Sequence, residues 1–369
     1  MEVLKAGFND EEADQMNLYD IGLSEQHVQE ASLCPGNLYL ARVSAQHKGI
    51  YKILTENGEI QAEVSGKLTY SASTPAEYPA VGDWALVDRT DDKTGNAIIH
   101  RILTRKSFLQ RKAAGTKHER QIVAANIDIV FICMSLNNDF NLRRIERYLS
   151  IVWDSMATPV IVLTKSDLCN DIGAKLTELE SVALGVDVVV TSSLSDDGYT
   201  GIRKYLRKGR TIAFVGSSGV GKSTLINRLI GKEALFTKAV REDDDKGRHA
   251  TTHRQLLILP DGGVVLDTPG MREIQIAGAD LSMSFSDIEE LAEQCYFRDC
   301  KHESEPKCAV KQAIRDGSLS IKRFENYKKL QQEMAYAERK GIMTAAQLER
   351  QKTTSMMGSL DAHKRLKNR

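Results

Sequence analysis

Residues 211–224 read TIAFVGSSGVGKST and decide the fold of this 369-residue chain. Five apolar or β-branched residues, typical of a buried strand, lead into a glycine-rich stretch and then into the apolar-periodic helix LINRLI. This order is the context of a P-loop, in which backbone N–H groups and a helix N-terminus surround phosphate oxygens. It predicts a nucleotide-binding α/β domain. The predicted phosphate-binding residues are Gly216, Ser217, Ser218, Gly219, Val220, Gly221, Lys222, Ser223 and Thr224.

Two loops carry the predicted phosphate chemistry. Lys222 is expected to bridge the β- and γ-phosphates as a catalytic cation, and the Ser223 hydroxyl is expected to bind Mg²⁺. The stretch DTPG at residues 267–270 follows the apolar strand VVL. The carboxylate of Asp267 is expected to hold Mg²⁺ through water, and the N–H of Gly270 to meet a γ-phosphate. Together the loops predict hydrolysis of a nucleoside triphosphate.

The base is predicted to be read by TKSD at residues 164–167, which ends the strand PVIVL. The carboxylate of Asp167 can accept from guanine N1–H and N2–H₂, a donor pair that adenine lacks, while the stem of Lys165 lies along the ring. Thr164 replaces a commoner Asn and is expected to hold the base less tightly. Ser192, after the next strand, is suited to presenting a backbone N–H to guanine O6. The pattern therefore favours GTP over ATP.

The order of these motifs along the chain is informative. In a Ras-type GTPase the P-loop comes first and the base-reading motif near the end, whereas TKSD and TSS precede the P-loop here. Apolar strands alternate with helical stretches from residue 127 onward, which is typical of a mostly parallel sheet covered on both faces. A turn at residues 261–263 adds an antiparallel hairpin. The sequence predicts a circularly permuted GTPase domain.

A second chemical pattern follows the GTPase motifs. Cys295, Cys300, His302 and Cys308 lie within 14 residues. Three thiols and an imidazole fit tetrahedral Zn²⁺, and four protein ligands leave no open position. The pattern predicts one structural zinc ion rather than a hydrolytic one.

The N-terminal part has a different texture. From residue 36 to about residue 110, five short alternating segments are separated by turn signals, which favours a small closed β-barrel of the OB type, with an SH3-like barrel as the alternative. The sequence is thus predicted to be multidomain, with an OB-type barrel, a permuted α/β P-loop domain and a helical zinc-binding domain. The predicted boundaries are 1–35 (acidic N-terminal extension), 36–112 (barrel), 118–280 (GTPase domain) and 281–369 (zinc-binding domain with a basic helical tail).

Charge is distributed unevenly. The 50 basic and 50 acidic side chains cancel, but residues 1–35 carry a net charge of −7 and residues 321–369 carry +7. The basic tail indicates a polyanionic partner. No stretch has the roughly 18 consecutive apolar residues of a membrane span, and the acidic start is unlike a signal peptide. A cytoplasmic protein without a membrane partner is expected.

The motifs resemble those of the circularly permuted, ribosome small-subunit-dependent GTPases that act late in assembly of the bacterial 30S subunit. The resemblance spans about residues 36–335. It is carried by TKSD (164–167), GSSGVGKST (216–224), GRHATTHR (247–254), DTPG (267–270), FRDCKHESEPKCAV (297–310) and VGDW (81–84).

The resemblance implies binding to the 30S subunit and its 16S rRNA, hydrolysis of GTP to GDP and phosphate stimulated by that subunit, and release coupled to hydrolysis. DNA is not an expected partner, and a monomer is expected. An alternative is a GTP-gated rRNA-binding placeholder in which hydrolysis only resets the protein. A metal chaperone or an ATPase is disfavoured by Asp167 and by the closed set of zinc ligands.

The switch segment departs from the Ras pattern. Met271 follows DTPG where Ras-type enzymes have a water-orienting Gln, so slow intrinsic turnover is predicted. His249 is the candidate catalytic residue that replaces it, as the resemblance also suggests. Ala250 occupies the first position of the family's usual threonine run, which leaves Thr251 or Thr252 to meet Mg²⁺.

Overall fold

The computed structural model describes residues 16–47, 49–112, 120–194, 198–231, 254–260, 262–267, 281 and 284–342. Within this coverage the chain forms two compact units. The first contains residues 16–110 and 121–267, and the second contains residues 111–112, 120, 281 and 284–342. The predicted domain boundaries stay predictions.

The described strands are β1 (Tyr39–His47), β2 (Ile50–Thr55), β3 (Gly58–Val64), β4 (Trp84–Val87), β5 (Ala97–Ile102), β6 (Phe108–Lys112), β7 (Arg120–Ala125), β8 (Ile129–Ser135), β9 (Thr158–Thr164), β10 (Asp187–Val190), β11 (Thr211–Val215), β12 (Arg254–Ile258) and β13 (Val264–Asp267). The described α-helices are α1 (Glu25–Ser32), α2 (Gly66–Ser71), α3 (Leu142–Asp154), α4 (Ile172–Glu180), α5 (Thr200–Arg203), α6 (Lys222–Ile230), α7 (Ser286–Glu293), α8 (Ala309–Arg315) and α9 (Ile321–Ile342).

The first five strands close into a barrel. Their order is β1-β2-β3-β5-β4, and β4 pairs back onto β1. Alternation of apolar and polar residues directs one side of each strand inward, where Val43, Ile53 and Ile99 are fully buried. Helix α2 lies between β3 and β4 in the chain. This arrangement confirms the predicted OB-type barrel.

Six strands form the α/β sheet, in the order β10-β9-β8-β11-β13-β12. All neighbours are parallel except β12 and β13, which form the predicted antiparallel hairpin. The central strand β11 is buried along its whole length, which explains its continuous apolar sequence. The carboxyl ends of β8, β9 and β11 meet at one edge of the sheet, and the predicted nucleotide motifs follow β9 and β11.

The barrel and the α/β sheet are hydrogen-bonded to each other. Strand β1 pairs with β4 over residues 39–42 and then with β12, where Ala45 lies opposite Gln255 and Gln46 opposite Arg254. An irregularity in the pairing with β2 between Val43 and Ala45 separates these two halves of β1. The eleven strands therefore form one continuous sheet.

Arg42 lies at the centre of this junction and is fully buried. Its guanidinium donates to the carbonyls of Ile21, Gly82 and Asn126 and, at 2.8 Å, to the hydroxyl of Thr211. Burial lowers the pKa of Arg42 to about 10, so the group remains charged at neutral pH. One side chain thus connects the N-terminal segment, the barrel, the strand connection and the start of β11.

The VGDW stretch of the barrel contains a second buried charge. Asp83 is fully buried, and its two carboxylate oxygens each accept a 2.7 Å hydrogen bond from Arg105. Gly82 has φ 94°, and a side chain there would collide with the carbonyl oxygen of Ala125. The glycine is therefore required where the barrel approaches the strand connection.

The second unit is helical, as predicted. Helix α7 packs against α8. Phe285 and Tyr327 are buried with their ring centroids 5.4 Å apart, and Arg323 pairs with Asp287 at 2.8 Å. Among the helices in the described part of the chain, none has the length and apolar character needed to span a bilayer.

Candidate nucleotide-binding site and metal centre

The glycine-rich stretch connects the end of β11 to the start of α6. Gly216, Gly219 and Gly221 have φ angles of 142°, 75° and 97°, values that residues with side chains rarely adopt. Gly221 caps α6, so the positive end of this helix dipole and its first N–H groups follow the loop directly. The local structure is the strand, loop and helix of an anion-binding P-loop.

The start of this loop packs tightly on β8. A side chain at Gly216 would collide with the carbonyl oxygen of Cys133, so only glycine fits. Burial raises the pKa of the Cys133 thiol to about 12, and the thiol stays neutral at physiological pH. Cys133 therefore adds no negative charge beside the loop.

The side chain of Lys222 is hydrogen-bonded to the backbone of its own loop. Its ammonium donates to the carbonyl oxygens of Gly216 at 2.7 Å and Ser217 at 2.6 Å. A lysine ammonium has three N–H donors, so it can meet a phosphate oxygen while both carbonyl bonds remain.

The predicted base-reading residues lie on two neighbouring loops. Asp167 follows β9 and accepts a 2.5 Å hydrogen bond from the hydroxyl of Ser192, which follows β10. The same Ser192 oxygen accepts from the backbone N–H of Leu194 at 3.1 Å. Lys165 adopts a left-handed backbone with φ 55°, which turns the chain sharply after β9. The predicted residues Asp167 and Ser192 are thus brought together, with the carboxylate oriented by the serine.

Thr164 has a role that its place in TKSD does not reveal. It is buried, and its hydroxyl donates to the carbonyl oxygen of Val220 at 2.6 Å. This hydrogen bond connects the base-reading loop to the P-loop. The predicted contact between Thr164 and the base stays a prediction.

Arg144, on the first turn of α3, belongs to none of the sequence motifs. Its guanidinium lies 2.7 Å from the hydroxyl of Ser217 in the P-loop and 2.8 Å from Asp139. The sequence offers only a weak signal for it, an arginine shortly after the strand that precedes α3. The contact between Arg144 and Ser217 forms because β8 and β11 are neighbours in the sheet. The spacing of the motifs does not predict that pairing.

Several predicted site residues lie outside the described residues. They are His249, Thr251, Thr252 and Gly270, together with Met271. The backbone of Asp267 is described and ends β13, opposite Gln255 of β12.

The four predicted metal ligands converge in the second unit. The ligand atoms of Cys295, Cys300, His302 and Cys308 all lie within 4.8 Å of one another. Cys295 Sγ lies 3.8 Å from Cys308 Sγ and 3.6 Å from His302 Nδ1. Burial lowers the pKa of His302, which favours the neutral imidazole that can bind a metal.

These distances fit a tetrahedral zinc site. With Zn–S bonds of about 2.3 Å and Zn–N bonds of about 2.0 Å, tetrahedral ligands lie about 3.8 Å apart for two sulfurs and about 3.5 Å apart for sulfur and nitrogen. Outside the ligands, the carboxylate of Glu305 accepts from the backbone N–H groups of Lys301, Glu303 and Ser304. These bonds lower the pKa of Glu305 to about 2 and order the ligand-bearing loop. The donor set and its spacing are compatible with zinc.

Comparison with known proteins places this site in a family. The sequence profile of the RsgA GTPase family matches residues 102–277. A second profile, for ABC transporters, matches residues 199–357, a range that includes the P-loop common to many nucleotide hydrolases. The chain is 50% identical over 330 residues to a protein of Lactiplantibacillus plantarum named "Small ribosomal subunit biogenesis GTPase RsgA 2", covering 89% of this chain and 92% of the relative.

Other relatives agree. A Listeria innocua protein named "Small ribosomal subunit biogenesis GTPase RsgA 1" is 45% identical, over 87% of this chain and 91% of its own length. The crystal structure of YjeQ from Thermotoga maritima matches with a TM-score of 0.61 and 29% identity, covering 81% of this chain and 99% of that one. YloQ, described as a circularly permuted GTPase, matches with a TM-score of 0.59 and 26% identity, covering 82% and 96%. The chain therefore belongs to the RsgA family of circularly permuted GTPases and is a GTP hydrolase.

Proposed function

We propose that this GTPase binds the small ribosomal subunit during late assembly, hydrolyses GTP there and is released after hydrolysis. The observation that carries the proposal is the permuted GTPase core, in which the predicted guanine-reading and phosphate-binding loops lie at one edge of the sheet. An OB-type barrel, a fold that often binds RNA, continues the same sheet. The names of the relatives supply the partner. The expected location is the cytoplasm, and the expected state is a monomer.

The nucleotide roles follow from the loop geometry. Asp167 accepts from the guanine edge, with its carboxylate oriented by Ser192. Lys222 donates to two loop carbonyls and has a third N–H for the phosphates, and the N-terminus of α6 contributes its N–H groups. Ser223 and Asp267 would hold Mg²⁺, which neutralises charge on the phosphate oxygens when bound.

Slow hydrolysis in isolation is part of the proposal, because Met271 cannot orient water by hydrogen bonding. His249 is proposed to supply that function when the protein is on the small subunit. Single-turnover hydrolysis of His249→Ala with saturating 30S subunits is expected to lose most of the stimulation, roughly 10²-fold. An unchanged stimulated rate would reject the role of His249.

Binding to the subunit is proposed to involve phosphate contacts by basic residues of the C-terminal tail. Stimulation of GTP hydrolysis by 30S subunits is expected to fall as salt rises, because counterions compete for the rRNA. A salt series with and without subunits measures this. A flat response would argue for docking on ribosomal protein surfaces instead.

Part of the acidic N-terminal extension packs on the first unit, so a deletion that tests its charge has to spare that part. Asp20 pairs with Lys208 at 2.6 Å, Glu30 accepts from the N–H of Thr104 at 2.9 Å, and Ile21 is buried. Deleting residues 1–35 would therefore remove part of the first unit. Deletion of residues 1–15 alone keeps these contacts, and we expect it to leave 30S binding unchanged or tighter.

We propose that Cys295, Cys300, His302 and Cys308 hold one structural zinc ion. Replacing Cys308 with serine is expected to lose the zinc and the ordered ligand loop, because metal binding contributes directly to folding of such short segments. Zinc content by mass spectrometry and helix content by circular dichroism measure both effects. Cys169→Ser, outside the cluster, is the control that should retain one zinc per chain; equal zinc in both variants would exclude the site.

The placeholder alternative remains testable. It predicts that a nonhydrolysable GTP analogue supports one round of subunit maturation and blocks only release. If hydrolysis instead drives maturation, the analogue fails in that first round as well.

A further inference from the structure

Arg144 is placed beside the P-loop by an ordered connection after β8. The hydroxyl of Ser135 donates to the side-chain oxygen of Asn137 at 2.8 Å, and that oxygen accepts from the N–H of Asp139 at 3.0 Å. Asn141 then caps α3 by accepting from the N–H of Arg144 at 3.1 Å. The buried residues of α3, among them Ile145, fix the helix on the sheet. The backbone on both sides of Arg144 is therefore well defined.

The side chain of Arg144 connects this segment to the nucleotide loop. One guanidinium nitrogen contacts both the Ser217 hydroxyl, at 2.7 Å, and the carboxylate of Asp139, at 2.8 Å. Asp139 orients the guanidinium and offsets its charge. Ser217 is thereby held by two cations, since Arg144 bonds its hydroxyl and the Lys222 ammonium bonds its carbonyl oxygen.

The P-loop is thus fixed by three contacts that do not involve the nucleotide. Gly216 abuts Cys133, Val220 accepts from Thr164, and Ser217 accepts from Arg144. The first two involve buried groups of the sheet. Arg144 is the one of these three that comes from a helix and carries a charge.

We infer that Arg144 is a positioning residue for GTP binding, which holds the start of the P-loop through the hydroxyl of Ser217. A loop already in its binding shape loses less conformational freedom when the nucleotide arrives. This inference rests on the proposed nucleotide role of the P-loop. It adds a residue from α3 that none of the nucleotide motifs contains.

Binding of fluorescent GTP and GDP analogues to the full chain tests the inference. Arg144→Ala is expected to weaken binding of both nucleotides about five- to tenfold, because the loop must then be ordered when the nucleotide binds. The single-turnover rate at saturating GTP should change less than about twofold, because the bound nucleotide orders the loop with or without Arg144. Arg144→Gln, which keeps an N–H donor without the charge, should recover part of the affinity.

The controls separate this role from others. Arg143→Ala, at the exposed neighbouring position, should bind as the wild type does, and melting temperatures verify that each variant is folded. In a Ser217→Ala background, Arg144→Ala should cost nothing further. Additive losses, or a loss of single-turnover rate with unchanged affinity, would overturn the inference. Failure of the wild-type chain to bind GTP would instead reject the proposed nucleotide site itself.

Discussion

Replacing Asp167 with asparagine is expected to weaken GTP binding roughly 10²- to 10⁴-fold, while xanthosine triphosphate becomes the preferred nucleotide. In the proposed site the carboxylate accepts two hydrogen bonds from guanine, and loss of a charged acceptor leaves those donors poorly matched. An asparagine amide can donate to the 2-oxo group of xanthine and accept from its N1–H. Competition binding with the two nucleotides measures the reversal.

Two variants make this result specific. Asp171→Asn removes the same charge four residues later, where the side chain caps α4 by accepting from Ala174. Asparagine caps helices as well as aspartate does, so GTP preference should be unchanged. Ser192→Ala removes the 2.5 Å bond that orients Asp167 and should cost only about fivefold. Retained GTP preference in Asp167→Asn would falsify the assignment of the base-reading residue.

The largest expected effect on stability comes from Arg42. Arg42→Ala leaves carbonyls of Ile21 and Asn126 without their buried donor and opens a cavity at the junction. The expected loss in the free energy of unfolding is roughly 3–5 kcal/mol. This corresponds to a fall in melting temperature of roughly 6–20 °C, measurable by scanning calorimetry.

Conservative and surface variants test the cause. Arg42→Lys keeps the charge but cannot reach all four acceptors with one nitrogen, so most of the loss should remain. Arg101, exposed on β5 and 4.0 Å from Glu30, is the matched control, and Arg101→Ala should shift the melting temperature by less than about 2 °C. Full recovery in Arg42→Lys would show that charge alone matters at this position.

Local patterns predicted the elements of this fold because each pattern has a local cause. Apolar runs of five to seven residues mark the buried strands β8, β9 and β11, and alternation marks the barrel strands. The P-loop was recognisable because its glycines allow the positive φ angles that the loop needs. The Cys/His cluster was recognisable because three thiols and an imidazole at this spacing are typical of a metal site.

The connections between elements were not predictable in the same way. Arg144 reaches Ser217 across 73 positions of the chain, and Thr164 reaches Val220 across 56. Nothing near either residue in the sequence indicates its partner. Arg42 reads as an ordinary strand arginine until the topology surrounds it with carbonyls.

Charge counting was the least reliable guide. The acidic residues of the N-terminal extension were counted together as a net charge of −7, yet Asp20 and Glu30 have partners within the first unit. A sum over 35 residues does not separate acidic side chains that have partners in the fold from any that have none. Only the contacts in the structure distinguish them.

The pairing of β1 with β12 also sets an order of events during synthesis. The barrel partners of β1 are all made by about residue 102, but Gln255 and Arg254 follow Ala45 and Gln46 by about 210 residues. At typical elongation rates of about 5–20 residues per second, that strand edge waits roughly 10–40 s for its partner. A nascent barrel can thus close early while two residues of its edge stay open to competing strands. This protein would complete its own sheet only after most of its chain has left the ribosome that makes it.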